Sequence, residues 1–333
     1  MSDRADQFGC DFRPHFKTHQ SHEIGRWIRS AGVNGITVSS VSMGHYFSED
    51  GWDDITIAFP FYRGMLPELI ELEKQASLRL FLHQPGQVAL LDKELSNPFK
   101  FYIEIDAGYG RSGIKHDDYN SIDEIIRASE AAKHCQFHGF YIHDGGTYSA
   151  RNREEIRHSI EASLDALLKL KEAYPQAKIS LGDTPSASIS DDLSQLDELT
   201  PGNFVFYDWM QVQIGSCTYD DPALFAILPI AQQISPDKAI VHGGAVHLSK
   251  DTIIQNNVRT FGQAVMFGDK QTNPIEGSFL SALSQEHGTL SGFMPRQMKD
   301  YVVICPIHSC LTANLFTYFV TPSGKRIEKR IGS

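Results

Sequence analysis

A (β/α)8 barrel followed by a β-rich domain is the fold class that this sequence predicts, and three observations predict it. Eight short β-rich runs alternate with longer stretches of helical apolar spacing as far as about residue 230. No Gly-rich dinucleotide fingerprint follows the first run, which disfavours the rival, an open doubly wound sheet. From about Lys238 the pattern changes to shorter β-like pieces joined by polar, Gly-containing turns. The 333 residues suit two domains of about 150 residues each, with a core ample enough to need no disulfide framework. The barrel is expected over residues 1–235 and the β-rich domain over 236–333.

The strands are read at 12–17, 35–39, 54–59, 79–82, 101–106, 137–143, 178–181 and 204–207. Between them, Ile122, Ile125 and Ile126, and then Ile156, Ile160, Leu164, Leu167 and Leu168, recur at three- and four-residue spacing, the signature of amphipathic helices. In the second part the β-like pieces are 239–242, 302–305 and 315–320. No internal repeat, low-complexity tract or heptad pattern is found.

Charge narrows the function. With 30 Lys and Arg against 41 Asp and Glu the net charge is −11, which repels nucleic acid and anionic lipid surfaces. No stretch approaches the ~20 continuous apolar residues of a membrane span. The opening MSDRADQFGC has no signal-peptide run, and five Cys is an odd number without extracellular spacing, so a cytosolic protein with reduced thiols is expected. Cys10, Cys135 and Cys217 are read as structural.

The chemistry is read from strand faces. Successive side chains in a strand alternate, so Phe12, Pro14 and Phe16 share one face while Arg13, His15 and Lys17 share the other. The apolar face suits the helical shell; the cationic one then points into the barrel, with Lys17 at the C-terminal end, where barrel enzymes keep their active sites. A lysine among other cations has its amine form favoured, as imine formation with an aldehyde demands. A solvated strand end is the other reading. The fifth strand repeats the device: Tyr102, Glu104 and Asp106 share a face and lead into Gly108, Tyr109, Gly110 and Arg111. The sixth ends in His143-Asp144-Gly145-Gly146-Thr147-Tyr148, bringing glycines and a hydroxyl to the same rim.

Gly182-Asp183-Thr184-Pro185-Ser186 after the seventh strand, and Pro201-Gly202-Asn203-Phe204 at the eighth, stand where barrels cradle phosphate, although two ordinary Gly/Pro turns would read the same. His308 and Cys310 are two apart, so on an extended backbone both point the same way and can share one ion; imidazole with thiolate favours Zn2+ and leaves positions open for catalysis. A lone His-x-Cys is more often a buried pair without metal.

Arg13-Pro14-His15-Phe16-Lys17-Thr18-His19, Asp106-Ala107-Gly108 with Arg111-Ser112-Gly113, His143 to Tyr148, Gly182 to Pro185, Pro201 to Phe204, Gln285-Glu286-His287-Gly288 and His308-Ser309-Cys310 occur in order along nearly the whole chain. Together they resemble the D-serine dehydratase and D-threonine aldolase family. The resemblance implies the alanine-racemase-like fold, a TIM-type PLP-binding barrel with a β domain, and a homodimer. It makes Lys17 the Schiff-base lysine and general base, with Tyr148 also catalytic. His15, Arg111 and Tyr148 become contacts to pyridoxal 5'-phosphate, and Thr184, Gly202 and Asn203 contacts to its phosphate. His308 and Cys310 become ligands of Zn2+, with Mn2+ or another divalent cation as the alternative. Family members usually carry a strand and a helix ahead of the Arg-Pro-His-x-Lys motif, and the barrel here is expected to lack them. Phe204 stands where relatives commonly place Tyr.

The implied activity is a D-serine dehydratase giving pyruvate and ammonia by metal-assisted loss of the β-hydroxyl. Related aldolases usually carry Asp where this chain has Cys310, which tips the reading toward elimination. D-Threonine aldolase-type cleavage of D-3-hydroxy amino acids is the first alternative. A D-3-hydroxyaspartate dehydratase is the second, with His19 or Arg63 as cations for the extra carboxylate. A non-catalytic PLP carrier is a reading from another class.

Overall fold

The computed structural model describes residues 1–267, 272–292 and 300–331. The chain divides into two compact units, one formed by Met1–Gly202 with the segment from Ile327 onward, the other by Asn203–Arg326.

In the first unit a short helix, α1 (Ser2–Phe8), precedes eight parallel strands. These are β1 (Asp11–Phe12), β2 (Ile36–Val38), β3 (Asp54–Pro60), β4 (Ser77–Phe81), β5 (Phe99–Asp106), β6 (Cys135–Ile142), β7 (Lys178–Leu181) and β8 (Glu198–Leu199). Neighbours run in the order β1-β8-β7-β6-β5-β4-β3-β2. The two ends meet at a parallel bridge between His15 and Thr37, where the Phe16 N–H donates to Thr37 and the Thr37 N–H to Pro14. The first seven strands are followed by α2 (His22–Ser30), α3 (Val41–Ser48), α4 (Leu66–Leu72), α5 (Pro85–Glu94), α6 (Tyr119–Glu130), α7 (Arg153–Ala173) and α8 (Thr184–Ile189). This is the alternation expected of an alanine-racemase-like barrel. No helix among the described residues is long and apolar enough to cross a membrane.

The faces read from sequence are the faces observed. Phe16 is fully buried among Phe47, Trp52 and His19 in the helical shell. Arg13 turns inward, where Glu198 accepts from Arg13 at 3.0 Å, Arg79 at 2.7 Å, Tyr102 at 3.0 Å and Ser180 at 2.8 Å. Asp54 takes the other contacts of the two arginines. Two guanidinium groups against two carboxylates fill the interior with no net charge, which is how a buried ionic layer avoids an uncompensated ion. Outside, α7 is capped by Asn152, whose side chain accepts from the Glu155 N–H, and it buries Ile156, Ile160, Leu167 and Leu170.

Two strands differ from the sequence reading, and the first, read at 12–17, is a strand only over Asp11–Phe12, followed by the isolated bridge at His15. Residues 204–207 are not the eighth strand; Asn203–Val205 is a 3-10 turn and the strand is Glu198–Leu199. Glu198 looks like a loop residue until its partners arrive from β4, β5, β7 and the residue just past β1, whereas Phe204-Val205-Phe206-Tyr207 carries β propensity that tertiary packing overrides.

The second unit begins with Asn203, includes α9 (Trp209–Gln213) and is built on a closed antiparallel barrel. Its strands are β9 (Ala226–Ser235), β10 (Lys238–His242), β11 (Gly262–Phe267), β12 (Thr272–Leu283), β13 (His287–Ser291) and β14 (Tyr301–Pro306), in the order β9-β10-β13-β12-β11-β14. Leu228, Val241, Leu280, Leu290, Val302 and Ile304 fill it. Two helices pack on each other: α10 (Ala245–Leu248) and α11 (Ser309–Asn314). The piece read at 315–320 is a strand only over Tyr318–Val320.

Candidate active site

Lys17 stands two residues past the His15–Thr37 bridge, exposed at the C-terminal end of the first strand. Its backbone N–H faces His15 Nδ1 at 3.4 Å, and the His15 N–H donates to the Pro201 carbonyl at 2.9 Å. The turn after Lys17 is pinned by the end of the chain: Ser21 Oγ donates to the Glu328 carbonyl at 2.6 Å and the Arg330 N–H to the Gln20 carbonyl at 2.7 Å.

Arg111 arrives from beyond β5 and His143 from the end of β6. Burial, then the neighbouring Lys17 with His143 and Arg111, hold His15 well below the ordinary imidazole range. Burial and then Arg111 push His143 down to about 3. Both imidazoles are therefore neutral at pH 7. His143 Nδ1 contacts the Gly182 carbonyl, which fixes that nitrogen as the protonated one and leaves Nε2 as an acceptor. Glu104, buried on β5, lies 3.4 Å from Arg111, and its second carboxylate oxygen has no hydrogen-bond partner among the described residues.

Thr184, fully buried at the first position of α8, donates its N–H to Tyr148 Oη at 3.4 Å. Gly202 makes a close approach: a Cβ there would lie 3.1 Å from His15 Cβ, the His15 carbonyl and Thr18 Oγ1. The backbone thus passes closely over the Lys17 turn. Asp183 caps α8, accepting from the Ser186 N–H at 2.7 Å and Thr147 Oγ1 at 3.1 Å. Burial and the neighbouring Asp144 push it up to about 7. A cavity of about 790 Å³ lined by Asp54, Ser77, Phe99 and Cys135 lies where β3 to β6 begin, at the opposite end of the strands from these groups.

In the second unit His308 and Cys310 are hydrogen-bonded to each other. They meet for a reason other than the one expected. The backbone is extended only at His308; Ser309 starts α11 and Cys310 lies in its first turn. Asp208 sets that start by accepting from the Ser309 N–H at 3.0 Å, from Ser309 Oγ and from Asn203 Nδ2 at 2.6 Å. Asn203 Nδ2 also lies 3.6 Å from Cys310 Sγ. The Asn203 Nδ2 group is thus engaged within this unit. His308 Nδ1 lies 2.8 Å from Asp251 Oδ2. Burial lowers the His308 pKa, but Asp251 and Cys310 outweigh it and raise it to about 10.

His19 does not serve as a rim cation. It is fully buried and accepts from the Ser21 N–H at 3.1 Å, and burial pushes it down to about 3. Arg63 is exposed in a 3-10 turn, Arg63–Met65. Asp208 and Asp251 were missed by sequence reasoning, and no local signal could have found Asp251, 57 residues from the histidine that it holds.

Residues 1–208 match the family described as alanine racemase, N-terminal domain, and residues 223–321 the putative serine dehydratase domain. The chain belongs to the alanine racemase N-terminal domain family. It is similar to the D-serine dehydratase of Dictyostelium discoideum, with 29% identity over 95% of this chain and 87% of the relative. It is also similar to the D-threo-3-hydroxyaspartate dehydratase of Delftia sp. (strain HT23), at 28% over 95% and 88%. The solved structure of the latter superposes with a TM-score of 0.88 at 25% identity, covering 100% of this chain and 93% of that one. The D-threonine aldolase of Filomicrobium marinum shares the fold, with a TM-score of 0.83 at 21% identity over 98% of this chain and 89% of that one.

Proposed function

We propose that this protein is a pyridoxal 5'-phosphate-dependent lyase, a D-amino acid dehydratase acting on D-serine or a close D-3-hydroxy amino acid such as D-3-hydroxyaspartate. The observation that carries it is the grouping of Lys17 with neutral His15 and His143 and cationic Arg111 at one rim of a barrel of this family. The similarity to D-serine dehydratase and D-threo-3-hydroxyaspartate dehydratase supports the reaction class. An aldolase or a non-catalytic carrier is not favoured.

The donor set fits the cofactor. Lys17 Nζ would hold it covalently, Arg111 and Tyr148 would flank its ring, and the Gly202 passage with Thr184 and Asn203 would receive its phosphate; at Gly202 a side chain would crowd that passage. Bound there, the cofactor supplies the electron sink for the pair left at the substrate Cα. Released from its covalent role, Lys17 Nζ is the base that takes the α-proton. With His15 and His143 uncharged, proton transfer to Lys17 meets less opposing charge than four cations would impose.

His308 and Cys310 fit a soft divalent cation, Zn2+ by ligand chemistry, because the hydrogen-bonded pair offers imidazole and thiol where one proton now sits. A cation held by His308 and Cys310 would supply Lewis-acid chemistry. A D-threo-3-hydroxyaspartate dehydratase C353A mutant solved in a metal-free form supports a metal in this kind of enzyme. The barrel, read from the sequence over 1–235 and formed by Met1–Gly202 with the segment from Ile327 onward, would carry the cofactor, and the β-rich part, read over 236–333 and formed by Asn203–Arg326, the metal. A cytosolic homodimer with a small-molecule D-amino acid as its partner completes the proposal.

The test is pyruvate release from D-serine, and oxaloacetate release from D-threo-3-hydroxyaspartate, by protein supplied with pyridoxal phosphate and Zn2+. K17A should abolish both. Turnover of neither substrate, or glycine appearing in place of the keto acid, overturns the reading.

A further inference from the structure

Away from His308 and Cys310, three donors from three places in the second unit converge. His242 ends β10, His247 lies on α10, and Glu286 sits in the turn between β12 and β13. One ligand atom from each lies within 4.8 Å of the other two. Glu286 Oε2 is 3.4 Å from His242 Nε2 and 3.9 Å from His247 Nε2. Ligands around a tetrahedral zinc stand about 3.4 Å apart when each bond is about 2.1 Å, so this set needs only small side-chain movements to close on one ion.

The backbone beneath them is fixed. The connection from β10 to α10 is stitched to the β12–β13 turn by Gly243 N–H to Glu286 O at 3.0 Å, Ala245 to Ser284 at 2.8 Å and Val246 to Gln285 at 3.2 Å. A Cβ on Gly244 would fall 2.3 Å from the Gln285 carbonyl, so the approach exists only because the residue is glycine. The side chains differ in exposure: His242 and Glu286 are exposed and His247 is half-buried.

We infer that His242, His247 and Glu286 form a second, exchangeable site for a zinc-class divalent cation, separate from the His308–Cys310 pair. Two imidazoles and one carboxylate are a borderline donor set that leaves a position open to water, and the ion ties α10 to the β12–β13 turn. In the metal-free protein His247 Nδ1 accepts weakly from the Gly244 N–H at 3.3 Å, which puts the ring proton on Nε2 toward Glu286. Binding at Nε2 moves that proton to Nδ1 and gives up the weak contact with Gly244. The site is therefore weaker than one built on thiolate. It does not depend on the activity proposed above.

The test is a Zn2+ titration of the cofactor-loaded, chelator-stripped protein by equilibrium dialysis, paired with melting curves at each zinc concentration. Wild-type protein should bind one more zinc than E286Q or H242A, and only wild type should gain a zinc-dependent rise in Tm from that class. H287A, altering the residue cross-strand from His242, should behave as wild type. If H247A fails to fold for want of its contact with Gly244, E286Q and H242A decide the matter, since neither substitution removes a backbone hydrogen bond. Equal zinc stoichiometry and affinity in wild type, E286Q and H242A would overturn the inference.

Discussion

Removing the carboxylate of Asp251 should weaken metal binding at His308 and Cys310 without touching either ligand. His308 Nδ1 meets Asp251 Oδ2 at 2.8 Å, so Nε2 is left as the lone pair for an ion and the ring is held in one orientation. Asp251 is itself aimed: its N–H donates to Ser249 Oγ at 3.2 Å, and Ser249 takes φ 68°, ψ −174°, a conformation ordinarily left to glycine. A hydrogen bond to a charged group contributes about 1.5–3 kcal/mol. The Asp251 side chain is 42% exposed, which places the contact at the low end. About 1.4 kcal/mol is tenfold, so D251A should bind Zn2+ about tenfold more weakly, and D251N, which keeps an acceptor but not the charge, should fall between. The assay is competition against a chromophoric chelator, run in E286Q protein so that only the His308–Cys310 class is counted. An unchanged affinity in folded D251A would show that the carboxylate does not position the ring.

Three further outcomes follow from the first unit. E198Q leaves Arg13 and Arg79 with Asp54 alone, and breaking a buried ion network by removing one partner costs about 3–5 kcal/mol; chemical denaturation should show a lower midpoint with the slope unchanged. G202A forces His15 and Thr18 to give way around a Cβ at 3.1 Å, and fluorescence titration should show cofactor affinity reduced by about tenfold, roughly 1.4 kcal/mol. Asp183, pushed up to about 7 by burial and then Asp144, is protonated when folded and ionised when unfolded between about pH 4 and 7. The unfolded state then binds fewer protons, so this group's stabilisation is lost as pH rises through that window. D183N should remove that dependence, and denaturation midpoints at pH 5.5 and 8 should differ less in the variant than in wild type.

The barrel was legible because its strands are buried on both faces while still alternating in chemistry. Tyr102, Glu104 and Asp106 could be assigned to the interior before any partner was known, and the packing follows that sorting: Phe101, Ile103 and Ile105 join the main core, while Tyr102 packs with Phe81 and Tyr141 and donates to Glu198. The eighth strand was not legible, because two residues with a glutamate at the first carry no period at all. Their pairing is decided by arginines far away in the chain.

The metal pair shows how a correct grouping can rest on the wrong geometry. An extended His-x-Cys would present both side chains to one side by strand alternation. Here the chain turns helical at Ser309, and the two groups meet because Asp208 seizes the first N–H of α11 and Asp251 turns the imidazole. Both acids lie outside the motif, at 101 and 57 residues' separation from the groups that they hold. The difference matters for substitution. On a strand, exchanging Cys310 for Asp would keep the direction of the donor and change only its hardness. In the first turn of a helix fixed by a buried carboxylate, an aspartate at 310 would also bring a second negative charge toward Asp208, which burial already holds above the ordinary carboxylate range. C310D should therefore lose Zn2+ without acquiring aldolase activity, as metal analysis and a glycine assay on D-threonine would reveal; glycine formed at the wild-type dehydratase rate would mean that the local backbone places no such limit on the chemistry.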